Sequence, residues 1–494
     1  MVNFIVGLII LAVGYLFYGG LVESVLAPDD RETPARFMAD GVDYVVLPKW
    51  KNMLIQLLNI AGVGPVIGVI LGIKFGTIVF LIIPIGNIIG GAVHDFVAGM
   101  MSLRYGGTNL PFLIRMVAGK GFARFFTIFM TILLLLVVAV FITTPAQLID
   151  GAWSGHDIFW YAVVAIFLYY IAATLFPVDK IIGRVYPLFG ALLLVGTAAL
   201  FVRLLVIGFQ QPELFLESKA FTERMFTPAK HQPILPLLFV TIACGILSGF
   251  HATQSPIVAR TMKSEREAKA TFYGMMVVEG FIAMVWAAGG LVIYNISPEL
   301  MAAKAPAVLL QLTRRFLGSG IGAVTVISVV ILSITSGDTA MRSLRLSLAE
   351  VFSMDQTPIV NRVLLSLPLI ALVTGLLWWS NQSAASFNQC WNYFAWGNQV
   401  LAACTLTAAT AWLASKHKFY LITLIPGVFM TFIVATYIFW ISPAHGGPVG
   451  CGMDLEYARI VGGFVAAVLA VWSIKRGMDL HQEQVPEIRE KSGK

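Results

Sequence analysis

Residues 59–65 read NIAGVGP, and residues 244–256 read CGILSGFHATQSP. We call them the first and second breaks, because each interrupts an apolar segment that would otherwise suit a membrane helix. Non-helical backbone survives at mid-membrane depth only where protein or a watery cavity satisfies its N–H and C=O groups. A matched pair of breaks, one in each half of the chain, is typical of membrane proteins built from inverted repeats.

The composition places the whole chain in a membrane. Of its 494 residues, 58% are hydrophobic and only 12% are charged, whereas soluble domains carry roughly 25% charged residues. The mean hydropathy is +0.84. Apolar runs long enough to cross a bilayer occur about 13 times along the sequence. We therefore predict an all-α membrane protein with about 13 transmembrane helices.

The basic residues predict the orientation. Most of the 33 lysine and arginine residues fall in the odd-numbered loops and the C-terminal tail, and such residues collect on the cytoplasmic side. The N-terminus is therefore expected outside and the C-terminus inside. The net charge of +7 reflects this bias, so we expect no nucleic-acid partner.

The spacing of the spans predicts an inverted repeat. Five spans between 52 and 209 form a first repeat, and five more between 234 and 414 form a second, whose orientation is inverted because five is odd. Residues 1–51 form an extra N-terminal helix and a cytoplasmic linker. Residues 419–475 form two C-terminal helices, and residues 476–494 form a disordered cytoplasmic tail.

Glycine and proline explain how the breaks could form. Gly62 and Gly64 tolerate unusual φ values, and Pro65 suits the first turn of a renewed helix. In the second break, Ser255 is expected to cap a helix that starts at Pro256. Free N–H groups at both helix starts would then attract a carboxylate. The alternative is a packing kink, since both residue types are common in membrane helices.

Polar residues inside other spans are candidates for coupling. Thr335, Asp338, Thr339 and Arg342 follow i, i+3, i+4 and i+7 spacing, so they share one helix face. A central aspartate costs roughly 2.5 to 3.5 kcal/mol in a membrane, which leaves a structural ion pair or a site for sodium or a proton. His94 beside Asp95 is either a proton relay or a neutral structural histidine.

The amides near residue 390 are expected to join helices or to line the substrate path. The predicted substrate-binding residues are Asn59, Gly62, Gly64, Pro65, Gly249, His251, Gln254 and Ser255. The predicted coupling residues are His94, Asp95, Glu279, Thr335, Ser336, Asp338, Thr339 and Arg342. The structural or substrate-lining residues are Asn388, Asn392, Asn398 and Gln399.

Six stretches are informative in combination: NIAGVGPVIG from 59, GAVHDF from 91, ACGILSGFHATQSP from 243, Tyr273–Phe281 with Glu279, TSGDTAMR from 335 and YFAWGNQVLA from 393. Together they resemble the carbon starvation protein A (CstA) family of bacterial inner-membrane transporters. The resemblance implies the five-plus-five inverted repeat of the leucine transporter. It further implies transport of peptides, or proton-coupled import of pyruvate, as a stress response to carbon starvation. The breaks would hold substrate, and Gly62 with Thr335, Ser336 and Asp338 would form the coupling-ion region.

These observations predict a secondary active transporter in the bacterial inner membrane. It would import a peptide or a small carboxylate such as pyruvate, with proton coupling favoured over sodium. A sodium-coupled symporter of the same fold, a channel and a membrane sensor are the alternatives. The dispersed histidines and the absence of HExxH and GxSxG sequences argue against an enzyme. We expect no cofactor and no metal site.

Overall fold

The computed structural model describes residues 1–41, 43–152, 157–175, 178–217 and 233–483, with the backbone alone for 178–190 and Ala384. Within these ranges the regular structure is helical, apart from one isolated bridge between Leu47 and Met262. The prediction of an all-α protein is confirmed.

Nineteen α-helices, α1 to α19, follow one another along the described chain. In order, they are Val2–Leu16, Tyr18–Leu26, Pro34–Phe37, Lys49–Ile60, Val69–Gly72, Val79–Gly86, Ala92–Arg104, Leu110–Ala152, Phe159–Leu175, Val178–Gln210, Phe239–Thr241, Ala243–Ile246, Phe250–Ala259, Gly274–Ile296, Ala305–Val351, Ile359–Ser380, Ala384–Ser415, Leu421–Trp440 and Leu455–Glu483. Short π-helical turns precede several of them, at Gly64–Gly68, Asn87–Gly91, Ile234–Leu238 and Lys269–Tyr273.

In the described ranges, nine helices are long and apolar enough to cross a membrane. A tenth span results if Lys49–Ile60 and Gly64–Phe75, which meet at 57°, are counted together. Helix α9 is shorter than the helices counted as spans. The segment that contains the second break is divided into several short helices. The figure of about 13 spans and the orientation therefore stay predictions.

The third long helix of each predicted repeat is kinked in the same way. Helix α8 bends at Gly119 (φ 84°), and α15 bends at Gly318 (φ 70°). A positive φ favours glycine, since other side chains clash there. Each bend separates a short arm from a long helix, and the two long helices pack against each other. This correspondence is what an inverted repeat requires, although the predicted domain boundaries themselves stay predictions.

The first break contains glycines for a reason other than the predicted one. Neither Gly62 nor Gly64 has a positive φ. A Cβ on Gly64 would instead lie 2.3 Å from both Cβ and Sγ of Cys244. The two breaks therefore pack directly on each other, and glycine is needed for the close approach. As predicted from the sequence, Pro65 lies in the first turn of the renewed helix.

The second break ends earlier than predicted. Leu247 is extended, and α13 starts at Phe250, so the prediction that Ser255 caps a helix starting at Pro256 is wrong. Instead, the Ser255 hydroxyl donates to the carbonyl of His251 at 3.2 Å. The cap comes from Asn398 in α17, whose Oδ1 accepts the Phe250 N–H at 2.7 Å. The hypothesis that a carboxylate binds at this helix start requires a free N–H group. The Phe250 N–H group is not free, because Asn398 accepts its hydrogen bond.

The linker before α4 is fastened to the loop that follows α13. Arg104 Nε donates to Glu265 Oε1 at 3.1 Å, and both side chains are buried. The backbone N–H of Asp29 donates to Glu265 Oε2 at 2.9 Å. A hydrogen bond from Arg31 holds the pKa of Asp29 well below its usual range. The linker thus joins the segment before the first repeat to a loop of the second.

The C-terminal tail is helical at its start. Helix α19 continues to Glu483, so disorder does not begin at residue 476 as predicted. Arg476 Nε donates to the carbonyl of Val117 at 3.0 Å, which ties this extension to α8. Residues 484–494 lie outside the described residues.

Candidate functional site

Four ionisable side chains meet inside the helical core, and we call them the histidine–carboxylate cluster. They are His94 and Asp95 of α7, His251 of α13 and Glu279 of α14, and each is at most 1% exposed. His94 Nδ1 lies 2.8 Å from Asp95 Oδ1, and His251 Nδ1 lies 3.0 Å from Asp95 Oδ2. His251 Nε2 lies 3.7 Å from Glu279 Oε2. The cluster therefore joins the two predicted repeats.

Small residues and one buried amide bring these helices together. A Cβ on Gly91 would lie 2.4 Å from the carbonyl oxygen of Ile246, and one on Gly280 would lie 2.7 Å from the Asn87 amide. The Asn87 side chain donates to the carbonyl of Met276 at 2.9 Å and to that of Gly245 at 3.3 Å. Close packing at the two glycines lets Asp95 reach His251.

The charge of Asp95 determines which groups donate within the cluster. When Asp95 is ionised it only accepts hydrogen bonds, and both Nδ1 atoms that face it then carry protons. His94 Nε2 and both oxygens of Glu279 make no hydrogen bond to any described group. A histidine with one ring nitrogen that makes no hydrogen bond, as His94 has, can take up or release a proton on that nitrogen. Buried groups left without hydrogen bonds usually have a functional explanation.

A second polar group joins α15 to the first break. The Ser336 hydroxyl donates to the carbonyl of Leu58 at 3.0 Å. The Thr339 hydroxyl donates to Asn59 Oδ1 at 3.1 Å. Tyr169 of α9 donates to Asp338 Oδ2 at 2.8 Å. The predicted polar face thus looks into the protein and contacts both the first break and α9.

Two other predicted members of this face bond to backbone. The Thr335 hydroxyl donates to the carbonyl of Leu332 at 2.9 Å, and Arg342 donates to the carbonyl of Ala173. Both side chains are buried. The structure therefore separates the predicted coupling residues into two groups, the histidine–carboxylate cluster and the α15 face.

The predicted substrate-binding residues do not all meet at one point. His251 lies among the carboxylates, whereas Gln254, one turn along α13, is fully buried with neither amide atom hydrogen-bonded to a described group. Asn59 Nδ2 in the first break is likewise buried without a partner among those residues. These amides are available to a ligand or to water.

The four amides of α17 have different environments. Asn398 caps the second break and also accepts from the Ser248 hydroxyl at 3.2 Å. Gln399 donates to the carbonyl of Phe239. Asn392 is partly buried. Asn388 lies on the wall of a separate cavity of about 510 Å³, which we call the outer cavity.

Sequence reasoning missed Tyr169, Ser248 and the outer cavity. Tyr169 stands in an apolar run, and nothing in the sequence pairs it with a residue as distant as Asp338. The phenol hydroxyl in that run was the only available signal, because a buried tyrosine usually needs a hydrogen-bond partner. Within the described ranges, histidine, cysteine and acidic residues form no group of three or more arranged to hold a metal ion.

A family model described as carbon starvation protein CstA matches residues 1–172, 152–313 and 297–437. These ranges include both breaks, the cluster and the α15 face. The resemblance inferred from the sequence is thereby confirmed.

Among curated relatives, a Haemophilus influenzae uncharacterized membrane protein is 40% identical over 333 residues, which are 58% of this chain and 89% of that protein. The peptide transporter CstA of Bacillus subtilis is 29% identical over 57% of this chain and 56% of its own length. That of Mycobacterium tuberculosis is 27% identical over 55% and 44%. The chain thus spans about half the length of these two relatives, both of which are named as peptide transporters.

Solved structures share the fold at low sequence identity. A variant of the Eremococcus coleocola manganese transporter aligns with a TM-score of 0.55 and 13% identity, over 90% of this chain and 99% of that one. MhsT in complex with L-phenylalanine aligns with a TM-score of 0.55 and 10% identity, over 87% and 99%. The predicted fold of the leucine-transporter type is confirmed.

Proposed function

We propose that this chain, which belongs to the carbon starvation protein CstA family, is a proton-coupled secondary active transporter of the bacterial inner membrane. It imports short peptides or a small carboxylate such as pyruvate, as a response to carbon starvation. The printed name of the relatives, peptide transporter CstA, supports peptides. The fold is one that carries substrates by alternating access between two repeats.

The observation that carries this proposal is the histidine–carboxylate cluster. It places His251 3.0 Å from Asp95 and 3.7 Å from Glu279, in a core from which water is largely excluded. Charged groups at such depth are costly and usually mark ion or proton pathways. Because Asp95 belongs to the first predicted repeat and His251 to the second, a proton bound here changes the attraction between the repeats.

The breaks support a substrate site close to this cluster. His251 lies within the second break, in the first turn of α13, and the first break packs on Cys244 of the second. The Gln254 amide and Nδ2 of Asn59, which make no hydrogen bond to any described group, supply further hydrogen-bonding groups. A peptide or a small carboxylate such as pyruvate presents carbonyl and carboxylate oxygens, which accept hydrogen bonds from such amides.

Sodium coupling is a second candidate because of the oxygen atoms beside the first break. Hydroxyls of Ser336 and Thr339, the Asp338 carboxylate and the Leu58 carbonyl gather there. Unwound carbonyls beside helix ends coordinate sodium in other inverted-repeat transporters.

Uptake into proteoliposomes tests the proposal. Labelled trialanine and labelled pyruvate would be offered separately under an inward proton gradient, an inward sodium gradient, or neither. We expect accumulation above equilibrium with protons, and its collapse on adding a protonophore. Accumulation driven only by sodium would replace the proton with the second candidate. Equilibration without accumulation under every gradient would overturn secondary active transport and indicate a channel.

A further inference from the structure

The outer cavity lies between elements of both predicted repeats. Its wall combines the helix after the first break, α8, the start of α15 and the facing ends of α16 and α17. Its polar lining consists mainly of Thr144, Gln147, Lys304, Asn381 and Asn388, and among the described residues no aspartate or glutamate lines it. The predicted topology places this end of the helices outside the cell.

The polar lining suits an anionic ligand that also accepts and donates hydrogen bonds. Lys304, at the start of α15, is exposed and forms no ion pair with any described residue. The Thr144 hydroxyl is buried and makes no hydrogen bond to any described group. A buried hydroxyl without a partner loses free energy unless a ligand or water satisfies it. Lysine and the neutral amides together match a carboxylate attached to a peptide backbone.

The size of the cavity favours a ligand larger than a three-carbon acid. Its volume is about 510 Å³, which is within the range that binds drug-sized molecules, roughly 300 to 1,000 Å³. Pyruvate would leave most of this space to water, whereas a di- or tripeptide would fill much more of it.

A row of aromatic rings connects the outer cavity to the histidine–carboxylate cluster. Trp391 lines the cavity, and its ring centroid lies 5.7 Å from that of Phe394. Phe394 lies 5.6 Å from Phe141, and Phe141 lies 6.1 Å from Phe250, the neighbour of His251. The four rings form a continuous row of contacts, which we call the aromatic layer. A ligand that moved along this row from the outer cavity would meet Phe394 and Phe141 before it reached Phe250.

We propose that the outer cavity is a separate binding site for short peptides, which it holds before they reach the cluster. The peptide carboxylate binds Lys304, and the peptide backbone binds Thr144 and the amides of Gln147, Asn381 and Asn388. This inference rests on the proposed function for the substrate class, because it assumes that peptides are transported. It assigns them an additional site on the far side of the aromatic layer.

Protection of an introduced thiol tests the outer site independently of transport. Asn388→Cys would be made in a Cys451→Ser background, since Cys451 is the exposed native cysteine. Purified protein would be treated with a charged thiol reagent, with trialanine or pyruvate added. We expect trialanine to slow labelling and pyruvate at equal concentration to leave the rate unchanged. Size-exclusion profiles check that each variant is folded.

Two further variants test the assigned contacts. Adding Lys304→Gln should raise the trialanine concentration needed for half-protection about tenfold, because a charge-assisted hydrogen bond is lost. Arg315→Gln is the matched control, since this exposed arginine lies on the same arm of α15 outside the cavity. Thr144→Val should also weaken protection, whereas Thr131→Val should not, because the Thr131 hydroxyl bonds within α8.

The outcomes separate this inference from the proposed function. Labelling that trialanine does not slow, in protein that still accumulates trialanine, would overturn the outer site alone. Protection in protein that accumulates no peptide under any gradient would uphold the site and overturn peptide transport, the part of the proposed function on which this inference rests. Equal protection by pyruvate, or protection unchanged by Lys304→Gln, would contradict the peptide assignment.

Discussion

Gly249→Ala is expected to disrupt the contact that holds the second break against α17. A Cβ at this position would lie 2.2 Å from the backbone nitrogen of Ala402, 2.4 Å from the carbonyl oxygen of Asn398 and 2.5 Å from Leu401 Cβ. Two of these atoms belong to a helix backbone, so no side-chain rotation can relieve the overlap. The break must therefore move away from α17.

The size of the effect follows from the contacts that would be lost. Inserting a methyl group into a packed core costs typically about 1 to 3 kcal/mol. The movement would also stretch the bond from Gly249 N–H to the Asn398 carbonyl, now 3.1 Å, and that from Phe250 N–H to Asn398 Oδ1, now 2.7 Å. Each such bond contributes about 0.5 to 1.5 kcal/mol. Together they predict a loss of about 2 to 6 kcal/mol.

The assay combines thermal stability in detergent with uptake in proteoliposomes. Gly375→Ala is the matched control, because no atom lies within 4 Å of its added Cβ in the middle of α16. Alanine is the better helix former by about 1 kcal/mol, so the control should be neutral or slightly stabilised. Gly249→Ala should melt earlier and lose uptake. Equal melting temperatures and equal uptake for the two variants would refute the close approach of the break to α17.

Three further variants test the cluster, the α15 face and the linker. Asp95→Asn should reduce proton-driven accumulation at least tenfold, because the histidines lose their shared anionic acceptor. Exchange of labelled for unlabelled substrate should partly persist. Asp338→Asn should accumulate substrate to within a few-fold of the wild-type level, since an amide oxygen still accepts the hydrogen bond of the Tyr169 hydroxyl. Loss of accumulation in this variant would favour the sodium candidate. Glu265→Gln should expose the linker to trypsin, because it leaves a buried arginine unpaired. The exposed ion pair of Asp30 should contribute little to stability. Trypsin should therefore cleave the Asp30→Asn variant at the wild-type rate.

The locations of the breaks could be predicted because glycine and proline punctuate apolar runs visibly. Their internal geometry could not. The sequence predicts that a helix starts at Pro256, yet in the structure Pro256 lies inside α13, beyond the first turn of that helix. The true cap is Asn398, almost 150 positions away in the chain, and no local pattern reveals such a partner. Likewise, the sequence predicts that Gly64 allows an unusual φ value, whereas in the structure this glycine allows the close approach to Cys244.

The cluster was only partly predictable for a similar reason. A histidine, an aspartate and a glutamate inside membrane spans stand out individually, because each is costly there. Their meeting depends on how closely α7, α13 and α14 approach, and therefore on Gly91 and Gly280, which look ordinary in the sequence. The sequence predicts that His251 binds substrate, and this stays a prediction; the structure places His251 3.0 Å from Asp95 and 3.7 Å from Glu279.

The same contacts that form the cluster link helices of the two predicted repeats. Asp95 and His251 lie on helices of different predicted repeats, 3.0 Å apart at their nearest polar atoms. Alternating access moves one repeat against the other, so it must lengthen this contact or carry both helices together. If the contact lengthens, loss of the proton from His251 weakens the attraction and favours that movement. By linkage, the movement then favours loss of the proton to the same extent. Proton binding and the conformational change would thus be coupled without a separate transmission element, and Asp95→Asn should uncouple them.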